Sequence, residues 1–178
     1  MTMNPRLCLG LFIACAGTAS ADPMIHQGDQ EISISGSPDF LGPTGDTLNV
    51  SGGYGWFVRD ALLVRGTFLY STVEDIAPGE NDYRMREVDV GVEYHFDTGS
   101  RLVPYLGGEL GWRRSKWASD VDSGFVVGPR AGLKFFIADN AAFDFALLYK
   151  VSDRNVFISD YDEQDYYLSL SFGIRVLF

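Results

Sequence analysis

The sequence predicts an all-β fold, an eight-stranded antiparallel up-and-down transmembrane β-barrel with short periplasmic turns and four longer extracellular loops. Three observations predict it. From Glu31 onward the chain repeats runs of period two, with no helical pattern longer than a turn or two. The connections between runs alternate short and long. Within the runs, one parity is free of charge while the other carries acids and bases in equal number.

The first element is an export signal. Arg6 supplies the only charge of the n-region, Leu7 to Ala16 form a short apolar stretch, and Ala19-Ser20-Ala21 ends in the small-x-small pattern of a cleavage site. The stretch is shorter than the roughly 18 apolar residues a membrane helix needs. Phe12-Ile13-Ala14-Cys15 loosely matches a bacterial lipoprotein box, with phenylalanine where leucine is usual. Residues 1–21 are therefore read as a cleaved signal peptide, residues 22–30 as a short periplasmic tail, and residues 31–178 as one barrel domain.

Both cysteines, Cys8 and Cys15, fall inside the signal. The mature chain has no thiol, which excludes disulfides, thiolate catalysis and cysteine metal sites. Loss of Arg6 leaves 13 of the 14 basic residues against 24 acids and moves the net charge from −10 to −11. A chain so acidic is a poor partner for nucleic acid.

Eight runs follow, at Glu31 to Ser37, Leu48 to Phe57, Leu62 to Val73, Glu87 to Phe96, Leu102 to Arg113, Gly124 to Phe136, Ala142 to Ser152 and Tyr166 to Phe178. Val58 to Ala61, Asp97 to Arg101 and Ile137 to Ala141 are tight connections, with Asp-Thr-Gly and Ala-Asp-Asn turn chemistry. Pro38 to Thr47, Glu74 to Arg86, Arg114 to Ser123 and Asp153 to Asp165 are about twice as long. Runs of ten or more residues suit tilted strands that cross the hydrocarbon, for which about 9 to 11 suffice. The first run is short and must extend at one end. An even strand number closes the sheet and removes its edges.

The segment "REVDVGVEYHF" shows the two faces in miniature. Val88, Val90, Val92, Tyr94 and Phe96 share one parity, and Glu87, Asp89, Glu93 and His95 the other. Taken through all eight runs, the apolar parity points to lipid. Its aromatics collect near the run ends: Trp56, Tyr94, Phe96, Phe135, Phe143 and Phe178 beside the short turns, Tyr70, Trp112, Phe125, Tyr149 and Tyr166 beside the long connections. Two such bands fit the girdles at the bilayer interfaces.

The inward parity carries Glu31, Glu87, Asp89, Glu93, Glu109 and Asp144 with Arg65, Arg113, Arg130, Lys134, Lys150 and Arg175. Six acids meet six bases. An eight-stranded barrel is only wide enough to be filled by side chains, and ions are tolerable there when paired. A solvated face would have no need of neutrality in a chain of this net charge. These twelve residues and His95 are therefore expected to form a lumenal charge network, the remainder of that face being largely small or hydroxylic.

Little of the sequence points to catalysis. His26 lies in the tail, and His95 faces the lumen beside Glu93, where it is expected to cap the charge network. The long-connection rim has no histidine, so a serine hydrolase acting on lipid lacks its base. "SDYDEQD", residues 159 to 165, looks like a calcium loop but lacks the central glycine and the final glutamate of an EF-hand. No cofactor, metal or catalytic residue is expected. The long connections hold many acids against Arg84, Arg114, Lys116 and Arg154. They read as solvated acidic loops, with divalent bridging to lipopolysaccharide phosphates as the sharper alternative.

The chain resembles the small eight-stranded outer-membrane β-barrels of Gram-negative bacteria, the OmpA/OmpX-like barrel domains. The likeness spans the whole mature chain and rests on the signal, the eight runs, the glycine-rich strands "VSGGYGWF" and "PYLGGELGW", and the ending "YYLSLSFGIRVLF". It implies that Tyr166, Leu168, Leu170, Phe172, Ile174, Val176 and Phe178 form the signal read by the barrel-assembly machinery. It also implies outer-membrane lipid and lipopolysaccharide as surroundings, a monomer, and a periplasmic N-terminus. The expected role is envelope integrity or surface contact through the acidic loops, with an unknown extracellular ligand. The alternatives are a narrow small-solute channel, a soluble lipocalin-like carrier, against which twelve inward charges speak, and the lipid-modifying hydrolase.

Overall fold

The computed structural model describes residues 25–36, 46–74, 83–117, 120–154, 156–159 and 162–178. The predicted signal peptide, the start of the tail and most of the first two long connections lie outside the described residues. In chain order the strands are β1 (Gln30–Gly36), β2 (Asp46–Arg59), β3 (Leu62–Glu74), β4 (Tyr83–His95), β5 (Leu102–Trp117), β6 (Asp120–Ala138), β7 (Ala141–Ser152), β8 (Phe157–Ser159), β9 (Asp162–Gln164) and β10 (Tyr166–Leu177). Eight of them close a barrel in the order β1-β10-β7-β6-β5-β4-β3-β2. Every neighbouring pair is antiparallel, and the seam is sealed by β1 against β10, from Glu31↔Leu177 to Gly36↔Phe172.

All eight predicted runs are barrel strands; β2, β4, β5 and β6 are each longer than expected by three residues or more, while β1 has seven residues and does not gain the extension expected of the short first run. β5 and β6 stay paired as far as Trp117↔Asp120, so most of the Arg114 to Ser123 connection is strand. Arg114 and Lys116 thereby become strand residues, as Arg84 does on β4. The fourth long connection contains the β8–β9 hairpin, with Ser159↔Asp162 as its last pair. Most of "SDYDEQD" is therefore hairpin backbone, although residues 160 and 161 lie outside the described residues.

The tight turns have local causes. Asp97 Oδ1 accepts a hydrogen bond from Gly99 N at 2.8 Å, and Gly99 takes φ 60°, a conformation open to glycine at no steric cost. Thr98 Oγ1 donates to Leu102 O at 2.6 Å and ties the turn to the start of β5. The β2–β3 and β6–β7 turns each follow a register shift, between Phe57 and Arg59 and between Phe136 and Ala138. Ala61 holds φ 65° at the first of these.

The parity assignment gives two unlike faces. Val88, Val90 and Val92 are 58%, 61% and 45% exposed, and their outward partners Leu106, Leu110, Val127, Leu147, Leu170 and Ile174 are exposed with them. Every large apolar outward residue predicted in β4, β7 and β10 is exposed. Leu48 is placed by backbone alone. Against this wall the lumen is packed shut. At the short-turn rim Ile25, Phe57, Leu63, Val103, Phe136, Ala142 and Leu177 form an apolar floor.

The tail docks on that floor. Gly28 N donates to Phe57 O at 2.8 Å, Phe57 N to Asp29 O at 2.9 Å, and Gln27 N to Asp60 Oδ1 at 2.7 Å, which carries Ile25 under the barrel. At the long-connection rim Val126 and Val156 make a second apolar layer, with Ser115 Oγ donating to Val156 O at 2.9 Å.

Several inward glycines are required by closeness of the neighbouring strand. A Cβ on Gly128 would lie 1.8 Å from the Tyr149 carbonyl oxygen, which is backbone and cannot rotate away. A Cβ on the outward Gly66 would meet nothing nearer than Asp89 O at 3.9 Å. Gly128→Val is expected to cost about 3 kcal/mol or more by forcing β6 from β7. Gly66→Ala is expected to stay within about 1 kcal/mol of the parent. Urea unfolding of the lipid-reconstituted protein measures both, and equal stabilities would contradict this account of strand spacing.

Candidate functional site: the lumenal ion network

The alternation that keeps charge off the outer wall delivers every charged inward residue to one narrow cylinder. Glu31 comes from β1, Arg65 from β3, Glu87, Asp89, Glu93 and His95 from β4, Glu109 and Arg113 from β5, Arg130 and Lys134 from β6, Asp144 and Lys150 from β7, and Arg175 from β10. All are buried, none more than 7% exposed. Ions at that depth are stable only where each meets an opposite charge and a hydrogen bond.

The half nearer the short turns is built around Glu93. Arg65 Nη1 reaches its Oε1 at 2.7 Å, Arg175 Nη1 its Oε2 at 2.8 Å, and Arg130 Nε its Oε1 at 3.2 Å. Arg175, from the closing strand, also meets Glu31 Oε1 at 2.7 Å and Asp144 Oδ2 at 3.0 Å. Lys134 pairs with the other Glu31 oxygen. The Arg65 guanidinium is completed by Thr67, whose Oγ1 accepts from Nη2 at 2.6 Å and from Nε at 3.1 Å.

The half nearer the long connections is built around Lys150. Its ammonium pairs with Glu87, with Glu109 Oε1 at 2.5 Å and with Asp89 Oδ1 at 3.2 Å. Arg113 holds the second oxygen of Glu87 and lies 5.2 Å from the centre of the Tyr167 ring. Arg130 Nη1, 3.8 Å from Glu109 Oε2, links the two halves. The carboxylates of Glu87, Asp89 and Glu109 lie within 4.8 Å of one another, a spacing that suits a metal ion, and the Lys150 ammonium contacts all three. A tethered cation thus occupies the position a metal would take.

Sequence reasoning missed Tyr105. Its hydroxyl donates to Asp144 Oδ1 at 2.9 Å and accepts from Arg175 Nη2 at 2.9 Å and Arg130 Nε at 3.3 Å. Its ring lies beneath the guanidinium of Arg175 at 4.9 Å. The space for it is made by its cross-strand partner Gly132, where a Cβ would sit 2.3 Å from the ring. An inward tyrosine directly opposite a glycine was the available signal. The floor residues Phe57, Leu63 and Phe136 were missed too, because the inward face is more apolar near its end than its small and hydroxylic members suggest.

His95 differs from its expected role as a cap on the network. Its Nε2 is 3.7 Å from Glu93 Oε2, and neither ring nitrogen makes a hydrogen bond to the described residues. The ring packs between Phe57 and Tyr105, each 5.2 Å away between centroids. It belongs to the boundary between the apolar floor and the ions.

The remaining predicted residues line the outer wall. Trp56, Tyr94, Phe96, Phe135 and Phe143 are exposed near the short-turn rim. Trp112, Phe125, Tyr149 and Tyr166 are exposed near the other, with Trp112 edge-on to Phe125 at 4.7 Å and Tyr149 stacked on Tyr166 at 6.5 Å. Tyr70 lies among them, half-buried. Along β10, Tyr166, Leu168, Leu170, Phe172, Ile174, Val176 and the terminal Phe178 are all exposed.

Residues 7–175 match the model of the outer membrane protein beta-barrel domain. No curated protein matches the chain. Among solved structures, the chain is similar to Neisserial surface protein A at 19% identity, with a TM-score of 0.61 over 84% of this chain and 95% of that one. The N-terminal β-barrel domain of Pseudomonas aeruginosa OprF is also 19% identical, with a TM-score of 0.57 over 85% and 98%. The Yersinia pestis attachment invasion locus protein Ail, in complex with the heparin analogue sucrose octasulfate, is 18% identical, with a TM-score of 0.56 over 85% and 99%. These likenesses establish a shared fold.

Removing one partner from such a network leaves the others as uncompensated buried charges. Glu93→Gln strips the common counter-ion from Arg65, Arg130 and Arg175. It is expected to cost about 3–5 kcal/mol in reversible urea unfolding from lipid vesicles. A cost under about 1 kcal/mol would mean that the arginines are compensated by something other than this carboxylate.

Proposed function

The chain belongs to the outer membrane protein β-barrel family of Gram-negative bacteria, and from that premise we propose that it is a non-conducting, non-enzymatic barrel serving envelope integrity or surface contact. The observation that carries this reading is the filled lumen. Ion pairs from seven of the eight strands cross it between two apolar layers, and the pocket beside them that Asp89, Glu109, Arg130 and Lys150 line holds about 30 Å³. That packing supports a barrel closed to hydrated ions.

The same reading assigns the short turns and the docked tail to the periplasm and the long connections to the cell exterior, as short turns and long loops are disposed in bacterial barrels. The aromatic bands then act as girdles at the two interfaces. The alternating apolar outward residues of β10, ending in Phe178, act as the signal for the barrel-assembly machinery. The protein works as a monomer, since the barrel leaves no strand edge open.

Planar bilayer recordings test the central point. The reconstituted protein is expected to give no steady single-channel steps, whereas stable, reproducible steps would favour the narrow-channel reading. Glu93→Gln, examined on the same apparatus, is expected to raise the frequency of transient openings if the ion network is what closes the lumen.

A further inference from the structure

The lumenal ions are neutral in sum but unevenly placed. In the half nearer the long connections three carboxylates, Glu87, Asp89 and Glu109, meet two cations, Lys150 and Arg113. In the other half Glu31, Glu93 and Asp144 meet four, Arg65, Lys134, Arg175 and Arg130. Arg130 belongs there because it lies 3.2 Å from Glu93 and 3.3 Å from Asp144 but 3.8 Å from Glu109. The triad half therefore carries one negative charge in excess.

No other base of the chain makes up that charge. Arg84, Arg86, Arg114, Lys116 and Arg154 are exposed, and Arg59 and Arg101 lie at the short turns. Outside the described residues the sequence holds no lysine or arginine except Arg6.

Beside the triad is a pocket of about 30 Å³, more than the roughly 10–15 Å³ that one water molecule needs. Asp89 and Glu109 line it from β4 and β5, and Ser35, Ser51, Ser169 and Ser171 from β1, β2 and β10. Ser35 and Ser51 bond to each other at 2.6 Å. Ser169 and Ser171 are 7% and 8% exposed, and neither hydroxyl has a hydrogen-bond partner among the described residues. Lys150 and Arg130 border the pocket too, each already engaged by three carboxylates.

A buried charge without a counter-charge and a buried hydroxyl without a partner both cost free energy. Water in the pocket would satisfy the serines and leave the charge. A proton on one carboxylate would cancel the charge and leave the serines. A small cation bound through oxygen lone pairs relieves both. The acids and hydroxyls offer only oxygen, which selects a hard ion, and a single excess charge selects a monovalent one. Two oxygens about 2.4 Å from a common hard cation lie no more than about 4.8 Å apart. One oxygen each of Asp89 and Glu109 meets that limit.

We propose that this pocket binds one alkali-metal cation of the size of sodium, held by the carboxylates of Asp89 and Glu109 and the hydroxyls of Ser169 and Ser171. The ion fastens the closing strand β10 to β4 and β5 in the half of the lumen where Arg175 makes no ion pair. The site rests on the packing of the lumen alone, so steady channel steps would revise the function proposed above without touching it.

Reversible urea unfolding from phosphatidylcholine vesicles tests the site, in sodium chloride against N-methylglucamine chloride at equal concentration, the second cation being too large for the pocket. A ligand bound only by the folded form raises the folding constant tenfold for each tenfold increase in its concentration above saturation. The parent is expected to show that dependence on sodium and none on N-methylglucamine. Ser169→Ala/Ser171→Ala is expected to lose most of the sodium dependence, and Ser33→Ala, on the same face but outside the pocket, to keep it. Equal unfolding of the parent in the two salts would overturn the site, as would a double variant whose response to sodium matches the parent's. A parent indifferent to sodium that shows a protonated-carboxyl infrared band, removed by Asp89→Asn, would overturn it in favour of a proton held by the triad.

Discussion

The closure of β1 against β10 is the constraint on which everything else depends. In hydrocarbon no water is available to an open strand edge, and each unsatisfied backbone group costs several kcal/mol. The seam therefore has to be made, and it joins residues about 140 positions apart in the chain, such as Ser33 and Arg175. Main-chain pairing is reinforced from the inside. Arg175 reaches from the closing strand to Glu31 on β1, Glu93 on β4, Tyr105 on β5 and Asp144 on β7. One side chain thus ties the last strand to four others across the lumen, so that closing the sheet and satisfying its interior charges are a single event.

Closure with eight strands fixes the diameter, and the diameter dictates composition. The lumen must hold Arg, Lys, Glu and Tyr side chains from opposing strands without voids, which is possible only where their neighbours are minimal. A Cβ on Gly111 would lie 2.0 Å from the Asp89 carboxylate, and one on Gly132 would enter the Tyr105 ring. The inward glycines are therefore the complement of the long ions. Their abundance follows from volume and not from a need for unusual backbone angles, since Gly28 and Gly99 are the described glycines with positive φ.

Much of this was legible in the sequence because lipid enforces a strict rule. A residue on a membrane strand has one of two environments, so parity alone sorted Val88 from Glu87 and Leu147 from Asp144, and the equal count of acids and bases pointed to a closed interior. Pairing within the network was not legible. Which base meets Glu93 depends on register, shear and side-chain reach across the cylinder, and those are properties of the closed barrel. Tyr105 and Phe57 escaped notice because a rule of polarity by parity has no place for inward aromatics, whereas packing next to glycine and under the rim does. The ends of β5 and β6 were misjudged for a related reason. Above the apolar band alternation no longer separates lipid from lumen, so Arg114 to Ser123 looked like a loop while main-chain pairing continued through it.

That same release from the parity rule gives the upper rim its character. Below Trp112, outward charge is forbidden by hydrocarbon; above it, an outward residue meets headgroups and water, and a charge there is free to select a neighbour. The lumen balances its ions internally, so the excess negative charge of the chain must reside at the rims and in the connections. Asp153 and Asp165 are exposed where β7 ends and β10 begins, while Arg84, Arg86, Arg114 and Lys116 stand on the β4–β5 side. An eight-stranded cylinder has no intrinsic front or back, but this distribution supplies one. The outward parity of a few residues beyond the girdle is sufficient to create that asymmetry, with no change to the fold beneath.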